Sequence, residues 1–167
     1  GQIVCDNKKL LSLKRIGVKK ILPTIGFFFH NASFLAHIAN IYSFLSSHNE
    51  KRRKDFFPII FCFGGRNKIF QKKFSNIGVD IIYLDSDQSG RPVNGIAERL
   101  MRLKELSFHH NVDKMVWGCL ATWMPFAFGM KLADEQIWWS QKWTQLKLPS
   151  IDKYIHIGSF AIKETIN

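Results

Sequence analysis

Residues 56–84 read FFPIIFCFGGRNKIFQKKFSNIGVDIIYL, and this stretch decides the fold. Phe56 to Phe63 is a continuous apolar run that two glycines end, and Val79 to Leu84 is a further expected strand, apolar except for Asp80. Between them, Ile69 to Ile77 has the spacing of a short helix, which Gly78 closes as the residue after the helix end. Strands that are apolar throughout and separated by helices are typical of a parallel sheet covered on both faces.

The same alternation continues on both sides of this stretch. The other expected strands are Val18 to Phe29, Val112 to Leu120, Gln136 to Ser140 and Tyr154 to Ile157, and the other expected helices run from Asn31 or Ser33 to about His48, from Pro92 to Leu106 and from Trp123 to Lys131. Six strands with intervening helices predict an α/β fold: a doubly wound, mostly parallel sheet with helices on both faces. This Rossmann-like domain is expected over residues 20–160, after a basic lead-in segment at 1–19.

The positive charge of the chain is concentrated in its amino-terminal part. The formal net charge is +11; residues 1–73 contain 14 Lys and Arg against three acidic residues, whereas residues 74–167 contain ten of each. Such an excess is typical of proteins that bind phosphate backbones or anionic surfaces, although charged runs are more often simply solvated. No helix-turn-helix or zinc-finger spacing accompanies it. Because of the excess positive charge, the alternative function is that of a non-enzymatic module that binds nucleic acid or another polyanion.

Several motifs that would indicate cofactors or a compartment are missing from the sequence. Cys5, Cys62 and Cys119 form no CxxC pair and no metal pattern, which favours a reducing, cytoplasmic location. No apolar stretch approaches the ~20 residues needed to span a bilayer. The first expected strand is not followed by a GxGxxG motif, and Gly64-Gly65 lacks the third glycine, so we expect no dinucleotide cofactor.

Candidate site residues follow the ends of the expected strands, where doubly wound sheets bind ligands. His30 comes directly after the first strand, and a neutral imidazole there suits a general base, although it equally suits a helix cap. The candidate substrate-binding residues along this edge are Asn31, Gly64, Gly65, Trp123, Lys142 and Trp143. His37 falls outside the main apolar stripe of its helix, which is more typical of a structural or solvent-facing residue. Lys142 is interpreted either as a phosphate or carboxylate ligand or as an exposed loop lysine.

All five tryptophans lie within residues 117–143, beside glycine and small polar residues. Tryptophan combines a large apolar ring with a polar N–H group, so we interpret this group as part of a binding crevice. For Trp138 and Trp139, which alternate on a strand, we expect one in the core and the other at the rim.

Two segments resemble known enzymes. Ile25-Gly26-Phe27, with His30-Asn31 and His37, resembles the first strand and helix of glycosyltransferases related to O-GlcNAc transferase. The segment Phe126 to Trp143 resembles the same region in bacterial enzymes that glycosylate proteins. The resemblance covers about residues 20–160. It implies the GT-B architecture, in which two Rossmann-like domains enclose the active site, the amino-terminal one contributing acceptor-side residues and the carboxyl-terminal one binding the nucleotide sugar.

The resemblance also implies roles and partners. His30 would be the base or acceptor-positioning residue of an inverting transfer to a protein or saccharide acceptor, without a bound metal. His37 would belong to the same histidine-bearing loop after the first strand, as a substrate-binding residue. A second Rossmann-like domain, from the same polypeptide or a partner chain, is expected beyond a linker that starts at residues 161–167. The isolated chain is then expected to be inactive. A small-molecule-binding α/β domain that uses the tryptophan-lined edge is a further alternative.

Overall fold

The computed structural model describes residues 21–33, 35–50, 55–87, 89–119, 123–140 and 150–156. In chain order its elements are β1 (Thr24–Phe29), α1 (Ala36–Glu50), β2 (Phe57–Cys62), α2 (Lys68–Asn76), β3 (Asp80–Tyr83), α3 (Ile96–His109), β4 (Lys114–Trp117), α4 (Met124–Gly129), β5 (Glu135–Ser140) and β6 (Lys153–His156). The lead-in segment 1–19 and the expected linker 161–167 lie outside the described residues.

The six strands form one sheet in the order β3-β2-β1-β4-β5-β6, and every pairing is parallel. Strand β1 is central, and the chain passes from β3 at one edge to β4 on the other side of β1. This is the strand order of a doubly wound, Rossmann-like sheet, so the predicted fold class is confirmed. The strand order proceeds outward in opposite directions from the pair β1 and β4. This pair marks the switch point, where such sheets bind ligands.

Three consecutive phenylalanines in β1 hold helices on both faces of the sheet. Successive side chains of a strand point to opposite faces. Phe27 and Phe29 pack in one core cluster with residues of α1 and α2, whereas Phe28 packs in a second cluster with residues of α3 and α4. All three are at most 1% exposed. The helices therefore form two layers with the sheet between them.

Charged groups hold the amino-terminal edge of the sheet. The Glu135 carboxylate accepts from Lys114 Nζ at 2.7 Å and lies 2.6 Å from Lys153 Nζ, which joins the three strands β4, β5 and β6. The hydrogen bonds from these two lysines lower the pKa of the Glu135 carboxyl below its ordinary value. Asp113 supports the same edge, since its Oδ2 accepts the N–H of Thr24 at 2.6 Å. The opposite, carboxyl edge has different chemistry.

The third helix begins later than the sequence predicts. Pro92 was expected in its first turn, but α3 begins at Ile96, with Gly95 as the N-cap residue. Pro92 instead pairs with Ser86 in an antiparallel bridge. The Asp87 carboxylate accepts backbone N–H groups within the same loop, at 2.8 and 2.9 Å. These local bonds, which aspartate makes readily in turns, keep Pro92 outside the helix.

Other boundaries also differ from the prediction. Strand β1 begins at Thr24, just after Pro23, which has no N–H to donate to a neighbouring strand. Helix α1 begins at Ala36 rather than after an Asn31 or Ser33 cap, because the Asn31 side chain accepts the N–H of Ser33 at 3.1 Å and forms a turn of its own. Gly78 follows α2 with a φ of +60°, as predicted for the residue after a helix end.

Gly118 allows α1 to approach the end of β4 closely. A Cβ atom on Gly118 would lie 2.7 Å from Cδ1 of Ile41, which is fully buried on α1. Two carbon atoms cannot approach this closely, so one of them must move. The close approach, rather than an unusual backbone conformation, requires glycine at this position.

Gly118→Ala is expected to lower the free energy of unfolding by about 1–3 kcal/mol, because the methyl group overpacks a filled core. Ile41→Val removes the opposing methyl group and alone costs about 0.5–1.5 kcal/mol. In the double variant the alanine has room, so the total loss should be smaller than the sum of the single losses, as measured by urea unfolding. Additive losses would contradict this contact.

Candidate functional site

The loops that follow β1 and β2 are bonded to each other at the carboxyl edge of the sheet. The N–H of Ala32 donates to the carbonyl of Gly64 at 3.2 Å. Gly65 has a φ of +76°, a left-handed conformation that glycine adopts without steric cost, and its Cβ position lies 3.9 Å from the Cβ of Asn31. The structure therefore brings together Asn31, Gly64 and Gly65, three of the sequence-predicted site residues.

His30, Phe63 and Trp123 form an aromatic group at this edge, called here the rim cluster. The Phe63 and Trp123 rings are stacked, with centroids 4.3 Å apart and planes 26° from parallel. The His30 ring is nearly parallel to Phe63, at 6.0 Å and 13°, and lies 5.9 Å from Trp123. Phe63 is buried and Trp123 half-buried, whereas His30 is exposed. The imidazole is therefore the solvent-facing part of the rim cluster.

Arg99, in the first turn of α3, binds the residue that follows β2, which is Phe63 of the rim cluster. Its Nη1 donates to the carbonyl of Phe63 at 3.0 Å, and its Nε donates to the carbonyl of Val93 at 2.7 Å. The guanidinium also lies 5.4 Å from the centroid of the Phe63 ring. A Cβ on Gly64 would lie 2.9 Å from Nη1, so the absence of a side chain at Gly64 leaves space for the guanidinium.

Two cysteines lie near this edge, but their thiols are poorly suited to nucleophilic chemistry. Burial raises the pKa of Cys62 to about 12 and that of Cys119 to about 12. A thiol reacts as the thiolate, which is scarce at neutral pH when the pKa is this high. The His30 imidazole is therefore better placed than either thiol for proton transfer at this edge.

The carboxylates near β3 are already paired with arginines. Asp85 lies 3.8 Å from Nε of Arg66, and the same guanidinium is 5.2 Å from the Tyr83 ring. Asp87 is bonded to Nε of Arg91 at 2.8 Å. Acid–base catalysis by two carboxylates needs groups directed at a substrate, which this pairing does not favour.

The four tryptophans that the structure describes do not form a single crevice. Trp117 is fully buried against Phe128 at 4.9 Å, and Trp138 is buried against the same ring at 6.0 Å. Trp139 packs with the α1 core cluster on the opposite face of the sheet, because consecutive strand residues point in opposite directions. Among the described tryptophans, Trp123 alone reaches the rim cluster. One of the pair was expected in the core, and Trp138 confirms this. Trp139 is half-buried against the α1 core cluster and has no described ring contact with the rim cluster.

The remaining predicted residues lie elsewhere. His37 is half-buried in the first turn of α1, on a different element from the rim cluster. Lys142 and Trp143 lie outside the described residues. Sequence reasoning missed two residues, Phe63 and Arg99. In the sequence, Phe63 looks like the end of an apolar strand, and Arg99 looks like a solvated charge on a helix. A cation in the first turn of a helix is unfavourable unless another group binds it, so the position of Arg99 was a usable signal.

A shallow depression of about 470 Å³ lies beside α3, apart from the rim cluster. Its lining includes Asp87, Arg91, Met101 and Arg102. Across the parts of the chain that the structure describes, no three or more His, Cys, Asp or Glu side chains are grouped as metal ligands. No described helix is long and apolar enough to cross a membrane.

No model of a known protein family matches the sequence, and no curated protein matches it significantly.

Phe63→Leu is expected to lower the free energy of unfolding by about 1–2 kcal/mol, since it removes the ring stacked on Trp123 and leaves unfilled space. His30→Gln is expected to change it by less than about 0.5 kcal/mol, because the imidazole is exposed. Urea unfolding of both variants measures the difference. Equal losses would show that His30 is a structural residue rather than an available group.

Proposed function

We propose that this chain is the acceptor-side, amino-terminal Rossmann-like domain of a nucleotide-sugar-dependent glycosyltransferase of the GT-B type. The exposed His30 imidazole carries the proposal. It follows the central strand directly, lies beside the switch point of the sheet, and is stacked on Phe63. The sequence around it resembles the first strand and helix of enzymes related to O-GlcNAc transferase.

In the proposed reaction, a hydroxyl or amide group of the acceptor attacks the anomeric carbon of the donor sugar. The new bond forms as the bond from that carbon to the diphosphate oxygen breaks, so the configuration inverts and the nucleoside diphosphate leaves with the electron pair. The acceptor proton passes to the His30 imidazole, which acts as a general base. Trp123 offers an apolar ring beside this group, against which an acceptor can pack.

The donor site is proposed to lie on a second Rossmann-like domain of the same polypeptide or of a partner chain. Cytoplasmic location and a protein or saccharide acceptor belong to the same proposal. Since the donor would be bound mainly by the other domain, the 167-residue chain alone is expected to transfer no sugar. Turnover of a nucleotide sugar by this chain alone would contradict that division of roles.

The test is a transfer assay with the complete gene product, a panel of nucleotide sugars, and peptide and oligosaccharide acceptors, with products identified by mass spectrometry. His30→Gln is expected to lower kcat at least ~100-fold, the range for loss of a general base. His109→Gln, an exposed histidine at the end of α3, is the matched control and should retain activity. Absence of transfer across the panel, or an equal loss in both variants, would contradict the proposal.

A second candidate is a polyanion-binding module, and the charge of α2 favours it. Helix α2 contains Lys68, Lys72 and Lys73 without an acidic residue, and Arg66 precedes it. Ten of the 14 basic residues in 1–73 lie outside the described residues (six in 1–20 and four in 51–54), so most of the excess charge has no described position.

A salt titration separates the two candidates. If the chain binds polyanions, fluorescence anisotropy with labelled single-stranded RNA gives a measurable affinity at low salt, and its logarithm falls linearly with the logarithm of the salt concentration. Replacing Lys68 and Lys72 by Gln should then reduce the slope by about one per lysine. Absence of binding at low salt would eliminate this candidate.

A further inference from the structure

Arg99 occupies a position that does not favour a cation. The first turn of a helix has exposed N–H groups and a partial positive charge, which repel a guanidinium. The carbonyls of Phe63 and Val93 offset this repulsion by accepting its Nη1 and Nε hydrogens at 3.0 and 2.7 Å. The planar guanidinium holds two acceptors in a fixed geometry, which a lysine ammonium does not.

These two acceptors belong to different loops of the carboxyl edge. Val93 lies in the loop before α3, whereas Phe63 is the residue directly after β2. One guanidinium therefore fixes the end of β2 relative to α3. It also lies 5.4 Å from the centroid of the Phe63 ring, within the range of a cation–π contact, so it restrains both the backbone and the ring of that residue.

The orientation of the Phe63 ring affects that of the His30 ring, because the two rings are stacked. The planes of the His30 and Phe63 rings differ by 13°, and Trp123 is stacked on Phe63 at 4.3 Å. The Trp123 ring centroid also lies 5.9 Å from that of His30, so each of the three rings is next to the other two. His30 is exposed, and its imidazole makes no hydrogen bond with the residues that the structure describes. Ring stacking is therefore the described interaction that orients this imidazole.

We infer that Arg99 is a positioning residue for His30, which it orients through the Phe63 backbone and ring. The inference deepens the proposed function and rests on it for its catalytic meaning. Arg99 does not itself touch the reacting atoms. Its role is to hold the general base in one orientation toward the acceptor, and a base that is displaced by about 1 Å can lose two orders of magnitude in rate.

The first test needs no substrate and uses the ring C–H signals of His30 in ¹H–¹³C NMR spectra of the 167-residue chain. Ring currents of Phe63 and Trp123 displace these signals from those of a free imidazole. Arg99→Gln is expected to move them toward the positions found in Phe63→Leu, and Arg99→Lys should move them less. Unmoved signals in Arg99→Gln would overturn the inference.

Arg102→Gln is the matched control, because Arg102 lies one turn further along α3 and its Nε has no hydrogen-bond partner in the described part of the chain. It should leave the His30 signals in place, and an equal shift in this variant would also overturn the inference. If Arg99→Gln does not fold, Gly64→Ala replaces it. The added methyl group would lie 2.9 Å from Nη1 and displace the guanidinium without removing its charge, so the same shift is expected.

The second test measures transfer by the complete gene product. Arg99→Gln is expected to lower kcat roughly 10- to 100-fold with little change in KM, the pattern of a mispositioned base. If the His30 signals move but no variant or parent transfers sugar, the proposed function fails while the structural link between Arg99 and His30 stands. If His30→Gln abolishes transfer but Arg99→Gln changes neither kcat nor the His30 signals, the positioning role alone fails.

Discussion

The parallel pairing of β1 with β2 on one side and β4 on the other is the constraint on which the rest of the structure depends. It buries three consecutive phenylalanines, Phe27 to Phe29, so that both faces of one strand hold a helical layer. Because all strands run in the same direction, their carboxyl ends share one edge. That single fact brings His30, at the end of β1, into contact with the residue after β2 and with Trp123, which follows β4.

The two edges of the sheet are stabilised by different chemistry, and this difference supports the proposal that a ligand binds at the carboxyl edge. At the amino edge, Glu135 is paired with lysines of both neighbouring strands and has little left to offer a substrate. At the carboxyl edge, stacked rings and the bound guanidinium of Arg99 support an exposed imidazole. The tryptophans contribute less than their number suggests, since Trp117 and Trp138 are core residues, and Trp123 remains as the indole of the rim cluster.

The fold was predictable because a buried parallel strand leaves a continuous apolar run and a helix leaves a 3.6-residue period. The positions of His30, Asn31, Gly64 and Gly65 at one edge followed from those runs. Boundaries set by local hydrogen bonds were not predictable, as the bridge formed by Pro92 shows. The contact between Arg99 and Phe63 was missed for a different reason, since it joins residues 36 positions apart. A cation in the first turn of a helix indicates that it needs a partner, but no period in the sequence says which residue supplies it.

The edge around His30 is proposed to face the substrates. Modification of histidines by diethyl pyrocarbonate in the complete gene product, followed by mass spectrometry, tests it directly, because both His30 and His109 are exposed. If this edge faces the substrates, a nucleotide sugar together with an acceptor is expected to slow modification of His30 and to leave modification of His109 unchanged. Modification of His30 at the same rate with and without these substrates, across the donor panel, would contradict it.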